Sequence, residues 1–162
     1  MPKSIAALVR RSRATESRPT GQGIRMHTLL TPVLALIVWT LIVWVWMYAT
    51  RLPAIQAAKI DPANAKHPGS LDGLPTHVRA IADNYNHLME QPTIFYAMVF
   101  YIVLAGHTDQ LHIWLAWGYV ALRIAHSLIQ NTINVVPVRF LVFSLSTIVL
   151  AAMAVREMIA LL

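Results

Sequence analysis

The run LLTPVLALIVWTLIVWVWMYA, residues 29 to 49, carries no charge over 21 residues, and it limits what the chain can fold into more than any other feature. About 20 predominantly apolar residues cross the hydrocarbon core of a bilayer as one helix, because lipid offers no partner to an open backbone. Trp44, Trp46 and Tyr48 gather towards the end of the run, as interfacial aromatics do, and Arg51 followed by Pro53 is expected to close the helix. A cleavable signal peptide fits poorly, since the run is too long and no small-residue cleavage site follows. The composition agrees: of 162 residues 57% are hydrophobic and only 12% charged, against about 25% charged in soluble chains.

The net charge of +6 is unevenly spread. Lys3, Arg10, Arg11, Arg13, Arg18 and Arg25 against Glu16 put +5 in the first 25 residues and leave +1 for the rest. A nucleic-acid-binding domain would instead spread its cations over a folded face, so no nucleic acid is expected as a partner. Residues 1–25 read as a basic, disordered tail, with Met26 as an alternative start of translation, and residues 26–162 as one membrane domain. With no cysteine, disulfides, thiolate metal sites, a cysteine nucleophile and covalent haem attachment are excluded.

Residues 50–76, with Pro53, Pro62, Pro68, Gly69, Gly73 and Pro75, read as a loop. Further spans are expected at about 78–105, 111–130 and 139–160, the first of these polar through Glu90 and apolar from Pro92. The expected fold is therefore an all-α integral membrane bundle of four transmembrane helices. Arg51, Lys59, Lys66 and Arg79 lie on or beside the first loop and Arg139 beside the third, while the second loop has no Lys or Arg. By the positive-inside rule loops 1 and 3 are cytoplasmic, whereas the basic tail, if translated, argues the opposite orientation.

Two polar stripes carry the chemistry. Arg79, Asp83, Asn86 and Glu90 recur at spacings of four, three and four, and so do Tyr119, Arg123, His126 and Gln130, which puts each set on one helix face. A lone Arg in mid-span costs at least about 2.5 kcal/mol on insertion scales, so Arg123 should face the bundle interior. Its simplest partner is Glu90. The pair could fix helix register alone, or the stripes could line a pocket for an anionic ligand with several carboxylates. His87 and His126 could alternatively ligate a haem between helices. His107 and His112, flanking Asp109, read as interfacial, and Pro92 removes the hydrogen bond to the Leu88 carbonyl.

The stretches NYNHLMEQPTIFYA (84–97) and YVALRIAHSLIQNTINVVPVRFLVF (119–143) resemble the MAPEG family, the membrane-associated proteins in eicosanoid and glutathione metabolism, in its bacterial branch. The likeness rests on Asn86-x-x-x-Glu90-x-Pro92, on Arg123-x-x-His126-Ser127 with Arg139 following, on the opening of the first span and on RLPA at 51–54, and covers about residues 26–160. It implies a homotrimer in the bacterial inner membrane, with glutathione as cosubstrate between subunits near the cytosolic side and no metal. Family members transfer glutathione to lipophilic electrophiles or reduce lipid hydroperoxides, so the partners implied are the bilayer, further copies of the chain and lipophilic small molecules. Asn86, Glu90, Arg123 and His126 match the glutathione-holding positions, and Arg139 matches the catalytic Arg beside the sulfur. Gln130 stands where eicosanoid enzymes have a Tyr, Phe140 where the prostaglandin-forming member has a Ser, and DNYNH (83–87) replaces their basic motif, which points away from prostaglandin or leukotriene synthesis. The competing reading is a non-enzymatic lipid-binding or scaffold protein of the same fold.

Overall fold

A computed structural model describes residues 21–61, 63 and 65–162. Four α-helices follow one another as α1 (Gly21–Ala57), α2 (Thr76–Leu104), α3 (Gln110–Asn131) and α4 (Val136–Ala160), with a short 3-10 turn at Pro68–Leu71 before α2. The chain is all-α. Residues 1–20 of the expected tail lie outside the described residues, but residues 21–25 are helical and open α1.

Helix α1 also outruns its expected stop. Pro53 lies inside it, and Ala54 and Ile55 beyond the proline are still half-buried, so packing continues past the lost amide donor and offsets its cost. The helix closes instead where Lys59 takes a left-handed backbone (φ 52°) and the Ile60 amide bonds the Ile55 carbonyl at 3.2 Å. The residues 50–57 expected in a loop are thus helix. Helix α2 ends in the same manner, with Gly106 at φ 76° and the His107 amide on the Ile102 carbonyl at 3.0 Å. The reversal into α3 follows at once, because Asp109 caps α3 by accepting from the His112 amide at 2.9 Å. Helix α4 starts earlier than its apolar run suggests, since Pro137 in its first turn is preset for helical φ.

Leu29, Val33, Leu36 and Val43 of α1 pack with Leu88, Phe95, Val99 and Ile102 of α2, Ile113, Ala116, Tyr119 and Val120 of α3, and Leu150 and Met153 of α4. The steps of three, four and seven residues place each set on one helix face. Phe95 stacks on Tyr119 with ring centroids 4.4 Å apart. α1 packs on α2 and α3, α3 packs most extensively on α4, and α2 touches α4 more lightly. Helices α1 and α4 are long and apolar enough to cross a membrane, yet only 33% and 17% of their most apolar windows are buried within the chain. A soluble protein would bury such helices. Here their apolar faces point outward, and the buried polar groups, Asn84, Arg123, His126, Ser127 and Gln130 among them, lie inside the bundle.

Candidate functional site

The first half of α2, the last turns of α3 and the first turn of α4 enclose a cleft of about 380 Å³ at the end of the bundle that carries loops 1 and 3. Asp83, Asn86, His87 and Glu90 line it from α2, His126 and Gln130 from α3, and Arg139 from α4. Beside it lies a second cleft of about 190 Å³, lined by His87, His126 and Arg139 again but otherwise by Val136, Phe140 and Phe143. Arg139 therefore stands between a polar cleft and an apolar one. All seven residues of the polar cleft were singled out from sequence, and Asn86, Glu90, His126 and Arg139, the positions matched to glutathione, meet here.

Arg139 is held from both sides. Its Nη1 donates to Asn134 Oδ1 at 2.8 Å, and its carbonyl accepts from His126 Nδ1 at 3.0 Å. With that Nδ1 proton spent, a neutral His126 ring needs the Gln130 amide, 3.1 Å from Nε2, turned so that its NH₂ faces the ring. His87 donates from Nδ1 to Glu90 at 2.9 Å, and its ring lies 5.1 Å from that of His126 and 5.0 Å from that of Phe143. Below the cleft the Asn84 amide donates to the Ser127 hydroxyl at 2.5 Å, and Gln91 bonds Thr147 at 2.8 Å, so α2 is fixed to both α3 and α4.

The expected Glu90–Arg123 pair does not form. Glu90 sits at the open edge of the cleft with its side chain 67% exposed, while Arg123 is fully buried, donating from Nη2 to the His87 carbonyl at 3.0 Å and lying over the Phe143 ring at 5.4 Å. The α3 stripe, Tyr119, Arg123, His126 and Gln130, is turned into the bundle, whereas the α2 stripe, Arg79, Asp83, Asn86 and Glu90, is exposed. Arg123 does not line the cleft, and its Nε and Nη1 have no hydrogen-bond partner among the described residues. Arg79 also leaves its stripe, pairing with Asp72 at 3.2 Å. A haem between His87 and His126 does not suit this geometry, since both nitrogens of His126 are engaged and the two rings lie against each other. Among the described residues no group of three His, Asp or Glu side chains is placed to hold a metal ion.

At the other end of the bundle lies a second polar cluster. Glu157 of α4, buried, accepts from His107 Nδ1 at 2.7 Å and faces His112 Nε2 at 3.2 Å, out of line for a hydrogen bond. His112 donates from Nδ1 to the His107 carbonyl at 3.0 Å, and Arg156 pairs with Asp109. Burial pushes the Asp109 carboxyl up, but the His112 amide and the charges of His112 and Arg156 outweigh it and hold the carboxyl below its usual range. His112 was expected at the interface; it is 1% exposed, because Asp109 starts the helix and turns that ring inward.

Sequence reasoning missed Asn134 and Phe143. Asp83 and Gln130 lay on the two stripes read as a possible pocket lining, and His87 was considered only as a haem ligand, although its place between Asp83 and Glu90 puts it at the same cleft. Asn134 carried a weaker signal, an Asn at a helix break just before the proline-led start of α4, where a left-handed residue is common. Compared with known proteins, the chain matches the model of the MAPEG family over residues 29–159. No curated protein and no solved structure matches it.

Proposed function

The chain belongs to the MAPEG family, and from that premise we propose a glutathione-dependent membrane transferase or peroxidase that takes lipophilic electrophiles or lipid hydroperoxides from the bilayer. The observation that carries this reading is the position of Arg139, the cation shared by a polar cleft and an apolar one. The polar cleft suits a zwitterionic tripeptide: Asn86 offers amide donors and acceptors, and Glu90 a carboxylate for an amino group. The apolar cleft, with Phe140 and Phe143, suits the electrophile.

A thiol with a pKa of about 8.5 is only a few per cent thiolate at neutral pH, and an adjacent guanidinium favours the thiolate. In this reading Arg139 holds the sulfur as thiolate while the proton leaves to solvent. On an aryl halide the thiolate attacks the halogen-bearing carbon, the C–S bond forms, the C–Cl bond breaks and chloride departs. Arg123 backs the site, bracing the His87 carbonyl so that α2 keeps its distance from α3. Glu90 and the mouth of the cleft are open in one chain, which fits a homotrimer in which a second copy covers them. All four helices would then span the bacterial inner membrane with loops 1 and 3 in the cytoplasm.

The test is a thermal-shift titration of the purified protein with glutathione, followed by an aryl-halide conjugation assay on the parent and Arg139→Ala. Stabilisation by millimolar glutathione is expected, with conjugation that drops at least about tenfold in Arg139→Ala, as for loss of one unit of thiol acidification. No stabilisation of the parent would overturn the glutathione reading and leave a lipid-binding or scaffold role for the same fold.

A further inference from the structure

We propose that Asn134 is a positioning residue that holds the Arg139 guanidinium at the junction of the two clefts, an inference that rests on the glutathione reading above. Three features converge on it. Among the described residues only Lys59 and Asn134 have positive φ without being glycine, Asn134 at 46°. This conformation is uncommon outside glycine, and asparagine adopts it more readily than most residues. Its amide bonds the Ile129 carbonyl at 2.7 Å, which ties the turn to the last turns of α3. Its side-chain oxygen then receives Arg139 Nη1 at 2.8 Å.

The backbone of Arg139 is secured separately, by its amide on the Val135 carbonyl at 3.0 Å and by His126 on its own carbonyl at 3.0 Å. Those bonds fix where the side chain begins. Among the described residues only the Asn134 contact fixes where the guanidinium ends, because a free Arg side chain spreads over many rotamers and its charge would average over the mouth of the cleft. The residue type matters as much as the place. A neutral amide oxygen occupies one N–H and leaves the positive charge uncompensated for a sulfur anion, whereas a carboxylate at the same point would pair with the cation and cancel much of its field. Glycine would keep the left-handed turn and remove the tether.

The experiment compares the parent, Asn134→Gly, Asn134→Asp and Arg139→Ala by thermal melting, by glutathione binding and by the pH dependence of aryl-halide conjugation together with the ultraviolet absorbance of the bound thiolate. The titratable groups that share the clefts with Arg139, namely Asp83, His87 and Glu90 of α2 and His126 of α3, are the same in the parent and every Asn134 variant. Asn134→Gly is expected to melt near the parent and bind glutathione about as tightly. Its thiolate titration should move up by about one pH unit, and its rate at neutral pH should fall about tenfold. Asn134→Asp keeps an acceptor in a residue that tolerates the turn, and its titration should move up at least as far. A parental pH profile in both Asn134 variants, with Arg139→Ala impaired, would overturn the positioning role alone. A parental profile in Arg139→Ala as well would overturn the glutathione chemistry on which it rests.

Discussion

Truncating Glu157 to alanine is expected to cost about 3–5 kcal/mol of folding stability, although the charge cluster it belongs to contributes little net stability as a whole. The Glu157 side chain is 5% exposed and the facing His112 side chain 2%, with His107 Nδ1 donating to the other carboxylate oxygen at 2.7 Å. Opposite unit charges at about 3 Å attract by roughly 5 kcal/mol at an effective dielectric of about 20. Removing both from water costs several kcal/mol for each ion, so attraction and desolvation nearly cancel in the intact cluster. Alanine deletes the attraction while the His112 ring stays buried: His107 loses its acceptor, His112 loses the carboxylate that faces it, and a cavity opens between α3 and α4. Glutamine separates these terms. It keeps the shape and an acceptor for His107 and can turn NH₂ towards His112 Nε2, so Glu157→Gln should cost only about 1 kcal/mol. The measurement is denaturant unfolding of the detergent-solubilised protein by circular dichroism, with a double-mutant cycle against His112→Ala expected to give a coupling of about 1–3 kcal/mol. A Glu157→Ala protein within about 0.5 kcal/mol of the parent, or a coupling near zero, would refute the reasoning.

Phe95→Ala, which empties a fully buried position stacked on Tyr119, should cost about 3–5 kcal/mol in the same unfolding assay, and Phe95→Leu less than half of that. Arg123→Met replaces a buried guanidinium that has one hydrogen bond by an apolar chain of similar length. Its stability should stay within about 1 kcal/mol of the parent, while stabilisation by glutathione should weaken as α2 loses its brace. Asp109→Ala removes the α3 cap and should cost about 1 kcal/mol at neutral pH. Because the folded Asp109 carboxyl titrates below its ordinary value, its contribution is present above an unfolded pKa of about 3.9 and lost as pH falls through the lower folded value. Melting temperatures of parent and Asp109→Ala should accordingly converge in acid below about pH 4.

Much of the fold was legible because its causes are local. An uncharged run of 21 residues and the apolar runs of the later spans act within a few turns of the chain. The position of Pro53 misled, since whether a proline stops a helix depends on what the following residues pack against, and Ala54 and Ile55 still find neighbours. Within the site, spacings of four, three and four were enough to put Asn86 and Glu90 on one face and His126 on another. They could not say which stripe the packing would bury.

By itself, then, the sequence determined that the chain is a bundle of apolar helices carrying two polar stripes, because helix periodicity and the absence of backbone partners in lipid follow from residue order alone. Only the tertiary structure decided which polar groups meet, since that depends on the rotation and axial offset of one helix against another. With the α3 stripe turned inward and the α2 stripe exposed, Arg123 meets the His87 carbonyl rather than the Glu90 carboxylate. The same packing brings Arg139 to Asn86 and Glu90 from the far side of α3, and buries Glu157 against two histidines from another loop and helix.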